Sequence, residues 1–274
     1  MQFRDGRLTF SPTDLNAFLD CEHLTTLGLA VARGELVKPF RHNPHAALIQ
    51  RKGEEHEARY LARLVEQGRE VTTIVFRHDW EAAARATEEA IQGGDDVVYQ
   101  ACLTDGTWRG FADFIERLPD DSHEVVDTKL ARRAKPQHVL QLCFYTEQLA
   151  RIQGHWPAEM HVVTGLGERE SFRPDDYAAY YRRLRARFLD AVEQRRPTYP
   201  YPVDFCGLCV FLALCKERWA EDDHLTLVAG VPLIWVFDVT GAAWARAIAA
   251  AAGPMMSWCC VLWLGRKQAK LTTS

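Results

Sequence analysis

Between Gly110 and Tyr145 the chain carries Asp113, then Asp127-Thr128-Lys129, then Gln141 and Tyr145. Phosphodiester hydrolysis needs an activated water, a cation to hold the phosphate and relief of charge on the leaving oxygen. Mg²⁺ or Mn²⁺ bound by carboxylate oxygens supplies the first two. Asp113 and Asp127 suit that pair if adjacent strands bring them together. Side chains alternate along a strand, so Asp127 and Lys129 share a face. Lys129 is then placed to orient or deprotonate the water, or to offset transition-state charge. Gln141 and Tyr145 lie one helical turn apart, where a carboxamide and a phenol can hydrogen-bond a sugar–phosphate backbone without reading sequence. Arg132, Arg133 and Lys135 follow Lys129 and can grip flanking phosphates; a solvated charged loop is their plainer reading. For Asp127 and Lys129 the plainer reading is a structural salt bridge. Val125-Val126 before Asp127 predict burial, and a buried charge needs a partner.

Positioning these groups takes an α/β unit. Val97–Leu103 and Trp108–Ile115 flank a turn containing Asp105-Gly106, which predicts a hairpin. Glu124–Leu130 reads as a neighbouring strand. A helix follows, with Pro136 in its first turn and Gly154 just past its end. Glu159–Thr164 predicts a further strand, and Asp175–Glu193 a long helix carrying Arg182, Arg183, Arg185 and Arg187. Upstream, Ser11-Pro12-Thr13-Asp14 ahead of Leu15, Phe18 and Leu19 signals a capped helix ending near Cys21. Residues 43–67 predict a second helix and 80–92 a short charged one, stopped by Gly93-Gly94. On the former, Gly53, His56, Glu57 and Tyr60 share a face. A glycine inside a helix costs stability, which suggests that something approaches its backbone closely. His56 is the candidate third ligand for the cation, although a histidine taken alone is more often simply hydrogen-bonded.

The 274 residues are 47% hydrophobic and 26% charged, ordinary values for a globular chain able to bury a sizeable core. A net charge of -4 excludes a bulk positive field drawing the chain onto nucleic acid, so such contact rests on a local basic patch. The N-terminus lacks the apolar run of a signal peptide, which points to a cytoplasmic setting in which the eight cysteines ligate metal rather than form disulfides. Cys206, Cys209 and Cys215 are spaced C-x₂-C-x₅-C, one thiolate short of a four-ligand site. Cys21 is the candidate fourth. Zinc and an iron–sulfur cluster both accept four thiolates, so spacing leaves the metal open. Cys102 and Cys143 fall in strand and helix patterns and read as core residues.

Taken together, these residues resemble the RecB-like branch of the PD-(D/E)XK nuclease superfamily. That branch's pattern is a helix with Gly-x-x-His, an Asp on a strand, carboxylate-x-Lys on the next strand, and Gln-x-x-x-Tyr on the following helix. Here Gly53-Glu-Glu-His56, Asp113, Asp127-Thr-Lys129 and Gln141-Leu-Cys-Phe-Tyr145 occur in that order, within a resemblance spanning roughly residues 8 to 230. The resemblance implies a restriction-endonuclease-like core, a mixed β-sheet flanked by helices. It implies His56, Asp113 and Asp127 as ligands of Mg²⁺ or Mn²⁺, Lys129 as the catalytic lysine, and Gln141 and Tyr145 as DNA-contacting groups. One early cysteine and three late ones are also similar to CRISPR-associated iron–sulfur exonucleases and related helicase-nucleases. By that resemblance Cys21, Cys206, Cys209 and Cys215 hold a [4Fe–4S] cluster, favoured over zinc, that joins the N- and C-terminal segments. The expected activity is metal-dependent cleavage of DNA, on single strands or ends. A catalytically impaired nucleic-acid-binding module and a zinc-stabilised structural protein are the alternatives.

Composition changes after Gly230. Residues 231–274 hold four of the eight Trp and four basic residues against the single acid Asp238. Residues 247–265 are uncharged and near the length of a membrane span, but Gly253-Pro254 interrupts them, which argues against one. The organisation expected is therefore a nuclease domain over 1–230 and an atypical tail over 231–274, read as a non-native or truncated continuation. Relatives of this kind commonly continue into a ribonuclease H-like or helicase domain, an expected partner missing from this chain.

Overall fold

A computed structural model describes residues 1–4, 6–40 and 44–227; the tail at 231–274 lies outside the described residues. The chain divides into two compact units, Met1–Leu212 and a second beginning at Ala213.

The first unit is mixed α/β. Strands β1 (Gln2–Arg4) and β2 (Arg7–Thr9) form a small antiparallel pair. They lead into helices α1 (Pro12–Asp20), α2 (Glu22–Ala32) and α3 (Pro44–Glu66). Next come β3 (Val71–Thr73), α4 (Trp80–Gly93), β4 (Val97–Thr104), β5 (Arg109–Arg117) and β6 (His123–Thr128). The unit ends with α5 (Pro136–Gln153), β7 (Met160–Val163), β8 (Arg169–Phe172) and α6 (Pro174–Gln194). Helix α7 (Leu212–Glu221) spans the unit boundary. Six strands form one mixed sheet in the order β3-β4-β5-β6-β7-β8, with β3–β4 and β6–β7 parallel and the other pairs antiparallel. Among the described residues, no helix is long and apolar enough to cross a membrane.

Local chemistry explains most of the boundaries. Asp14 at the third position of α1 accepts the Ser11 N–H at 2.8 Å, and Pro12 opens the helix where its missing N–H does no harm. Asp79 caps α4 by accepting from Ala82 N at 3.0 Å, and α4 and α5 each stop at a left-handed glycine, Gly94 and Gly154. Cys21 closes α1 and opens α2.

The sheet is apolar on both sides, so neighbouring residues of a strand serve opposite cores. Val97, Phe114, Val126 and Val163 pack against Tyr60 and Leu64 of α3. Their neighbours Val98, Ile115, Val125 and Val162 join Leu142 and Leu149 of α5 and Phe188 of α6. Tyr60 further pins α3 by donating to Glu116 Oε1 at 2.6 Å, while Arg169 Nη1 pairs with the other oxygen at 3.0 Å. This layering carries β5, β6, α3 and α5 to one place.

Two features differ from expectation. The strand predicted to run to Leu130 ends at Thr128, although Lys129 N still donates to Val163 O at 2.9 Å. The glycine in α3 has no close neighbour: a Cβ on Gly53 would meet nothing within 4 Å. The tight approach lies instead at Gly165, after β7, whose N–H donates to Ala131 O at 3.0 Å and where a Cβ would fall 2.3 Å from Leu130 O. That obstacle is backbone and cannot swing away. Gly165→Ala is expected to destabilise the protein by at least about 2 kcal/mol, and urea unfolding followed by circular dichroism checks this. An unchanged midpoint would refute the close packing of the segment after Lys129.

Candidate active site and cysteine cluster

Strands β5 and β6 deliver the two aspartates side by side. Asp113 Oδ2 accepts from both the backbone N and the Oγ1 of Thr128, each at 2.8 Å, so one oxygen is held by β6. Asp127 is fully buried. Lys129 Nζ ion-pairs with Asp127 Oδ2, yet neither oxygen of Asp127 receives a well-directed hydrogen bond. Burial first, and the neighbouring Asp113 second, push the Asp127 carboxyl up to about 7 against the pull of Lys129. Burial alone would lower the Lys129 ammonium, but Asp127 and Asp113 outweigh it and raise it. The site is thus short of positive charge.

Helix α3 contributes two residues next to each other in sequence. His56 is buried, and its Nε2 lies 3.2 Å from Val163 O, the same carbonyl that accepts Lys129 N. His56 therefore ties α3 to the strand ends that hold Lys129. The next residue, Glu57, feels the charge of Asp113. Burial and Asp113 raise its carboxyl, while hydrogen bonds from Tyr99 and Gln100 and the charge of Lys129 pull it back. Gln100 Nε2 donates to Glu57 Oε1. Gln100 does so from a left-handed backbone, φ 55°, within β4 at the place where the ladder skips from Tyr99↔Phe114 to Ala101↔Ala112. A non-glycine residue in that region carries about 1–2 kcal/mol of strain. Glu57 and Gln100 were not singled out from sequence. The one signal was that Glu57 shares the helix face of Gly53, His56 and Tyr60.

On α5, Gln141 Nε2 donates to the Tyr145 hydroxyl at 3.0 Å. Tyr145 is buried, and its phenol is raised by burial and by Asp127 and Asp113, so its ring lies beside the carboxylates. It fits because β5 has glycine beneath it: a Cβ on Gly110 would stand 3.0 Å from Tyr145 Cε1. Arg132, Arg133 and Lys135 are exposed. His138, in the first turn of α5, is held down to about 4 by burial, Lys129 and Lys135, and its neutral Nδ1 accepts from Lys135 N at 3.2 Å. The structure thus gathers Asp113, Asp127, Lys129, Tyr145 and Glu57 in one electrostatic neighbourhood.

Among the described residues, no group of three or more His, Cys, Asp or Glu side chains is arranged to hold a metal ion. A hard divalent cation asks for less, since Mg²⁺ is commonly held by one or two carboxylates and water. Asp127, buried beside Asp113 and ion-paired to Lys129 through Oδ2 alone, fits such a cation.

In the first unit Cys21 feels Cys206 and Cys209 electrostatically, although the three are not gathered into a metal-holding group. Burial raises the Cys21 thiol, the N–H groups of Leu24 and His23 lower it, and Cys206 and Cys209 raise it further. Cys206 Sγ accepts from Val203 N at 3.3 Å. An N–H donor at a sulfur favours its thiolate form. Cys215 is on α7, in the second unit. Cys102 and Cys143 are buried, as core residues should be.

No protein-family model matches the chain. No curated protein matches it in sequence. Among solved structures, it is similar to SSO0001 at a TM-score of 0.36 and 15% identity, over 77% of this chain and 86% of that one.

The raised Asp127 carboxyl sets a pH dependence. A proton on Asp127 is favoured by the fold, so its stabilisation is complete below the usual carboxylate value of 3.8 and is lost as pH rises through about 7. In chelator, the protein is expected to unfold at a higher temperature at pH 5 than at pH 8. Asp127→Asn should remove much of that difference and stabilise the pH 8 form by about 1–3 kcal/mol. Parallel thermal melts of both proteins test this; no gain for the variant at pH 8 would mean that the carboxylate is not strained.

Proposed function

We propose that this protein is a metal-dependent DNA nuclease of the RecB-like PD-(D/E)XK branch, with a restriction-endonuclease-like core. One observation carries the reading: a fully buried aspartate, ion-paired to Lys129 through one oxygen, beside a second aspartate. Left without a ligand, such a carboxylate is a burden on the fold. As a receptor for a cation it is preorganised.

Asp113 and Asp127 hold the cation, which supplies water activation and neutralises phosphate charge. Lys129 orients the attacking water on its side of Asp127 and offsets charge on the phosphoryl oxygens. Glu57, fixed by Gln100, adds negative potential at the same place. His56 keeps α3 against the strand end. Gln141 is half-buried and presents its carboxamide toward the strand's sugar–phosphate, steadied by Tyr145. Arg132, Arg133 and Lys135 are exposed on the loop after Lys129, where they can take flanking phosphates. Nothing in this arrangement reads base edges, which favours a substrate recognised by backbone, single-stranded DNA or DNA ends.

The electrostatic influence of Cys206 and Cys209 on Cys21, with Cys215 taken as fourth ligand from its sequence spacing, supports a [4Fe–4S] cluster with a structural role. Its chemistry lies away from the hydrolytic step.

Two measurements test these readings. Lys129→Ala and Asp127→Ala should each reduce Mg²⁺- or Mn²⁺-dependent cleavage of end-labelled single-stranded DNA by about 100-fold or more, with far-UV circular dichroism unchanged; undiminished cleavage in either variant sinks the assignment. Anaerobically purified protein should be brown with broad visible absorption, and Cys21→Ser should bleach it. A colourless protein containing zinc would replace the cluster with a zinc site.

A further inference from the structure

Glu124, His161 and Ser171 stand on the neighbouring strands β6, β7 and β8. Three positions separate Glu124 from Asp127, so alternation puts the two on opposite faces of the sheet. On the Glu124 face, Val126 of β6 and Val163 of β7 pack against α3. A buried glutamate and a buried histidine beside them need compensating partners.

Their hydrogen bonds form one directed chain. Glu124 Oε1 accepts from Glu159 N at 2.8 Å, and Glu124 Oε2 lies 2.7 Å from His161 Nε2. An ionised carboxylate only accepts, so this contact assigns the proton of neutral His161 to Nε2. Nδ1 is left as an acceptor, 2.9 Å from Ser171 Oγ. The hydroxyl thus donates to a base that a carboxylate orients, the arrangement of an activated nucleophile. His161 and Glu124 are 3% and 5% exposed, whereas Ser171 is exposed, so the nucleophile is the member that meets solvent.

The strand pairing adds an oxyanion donor. Thr164 N donates to Glu168 O at 2.8 Å, and the ladder alternates from there through Val163↔Arg169 and Val162↔Glu170 to His161↔Ser171. His161 and Ser171 are therefore a non-hydrogen-bonded pair, the kind whose side chains come closest. The Ser171 N–H is directed away from β7, and β8 is the last strand of the sheet. That N–H stands beside the Ser171 hydroxyl, and the N–H of the attacking residue commonly serves the oxyanion in acyl transfer.

We propose that Ser171 and His161, oriented by Glu124, form a second catalytic site that hydrolyses small carboxylic esters through an acyl-serine. Ser171 Oγ bonds to the acyl carbon as its proton passes to His161 Nδ1, and Glu124 offsets the imidazolium charge. The bond from that carbon to the alcohol oxygen breaks, and the departing alkoxide takes the proton from Nδ1. Water then attacks the same carbon and gives a proton to Nδ1; Ser171 Oγ leaves with it, releasing the acid. These steps use neither the aspartates nor a cation, so the inference stands apart from the nuclease reading.

The test uses the full chain in chelator. A biotin-tagged fluorophosphonate bonds phosphorus to an activated serine oxygen as fluoride leaves. It should label the folded protein, with mass spectrometry placing the adduct on Ser171. The parent should hydrolyse para-nitrophenyl acetate at least about tenfold faster than Ser171→Ala, which should melt with the parent because the side chain is exposed. Glu124→Gln keeps an acceptor for Glu159 N but removes the charge, so kcat should fall about tenfold or more with KM little changed. No adduct on Ser171, equal labelling of urea-unfolded protein, undiminished hydrolysis in Ser171→Ala, or an unchanged kcat in Glu124→Gln overturns the proposal.

Discussion

The burial of Asp127 is the constraint around which the first unit is arranged. A carboxylate with no exposed surface and no directed hydrogen bond is carried only if something around it compensates. Lys129 compensates in part through an ion pair, and Asp113 works against it. The remainder falls to the proton that the raised Asp127 carboxyl favours. The elements nearby build this environment: β6 delivers Asp127, β5 delivers Asp113, and α5 brings Tyr145.

The sheet makes such a site possible because it is covered on both faces. Tyr60 and Leu64 of α3 seal one side, and α5 with α6 the other. Water is thereby kept from Asp127, which strengthens every charge interaction there. The same coverage fixes α3 closely enough for consecutive residues to take separate tasks. His56 bonds the Val163 carbonyl that also receives Lys129 N, and Glu57 adds charge toward Asp113. Strain at Gln100 belongs to this arrangement, since the left-handed residue is the one whose amide holds Glu57.

Much of the fold was legible because it is written in local signals. Pro136, Gly94 and Gly154 mark helix ends by local chemistry that works the same way in any context. The β4–β5 hairpin follows from two apolar runs about Asp105-Gly106. Strands β1, β2, β3 and β8 are three or four residues long, too short for periodicity to register, and exist through their partners. Helix α2 begins at a residue that also ends α1, so no linker announced it.

By itself, the sequence determined which residues could do chemistry and which strands and helices carry them. Alternation put Asp127 and Lys129 on one face, and the helical repeat put Gln141 beside Tyr145, because both periods are properties of the backbone. Tertiary structure alone decided how the groups are used. Which residue of α3 feels Asp113 depends on how α3 rotates against the sheet, and rotation is set by the packing of Tyr60 and Leu64. Whether Asp127 is a surface ion or a strained buried one depends on α5 closing over it. The electrostatic influence of Cys206 and Cys209 on Cys21 likewise needs the chain to return across its whole first unit. Local periods fix a residue's face; only long-range packing fixes what that face meets.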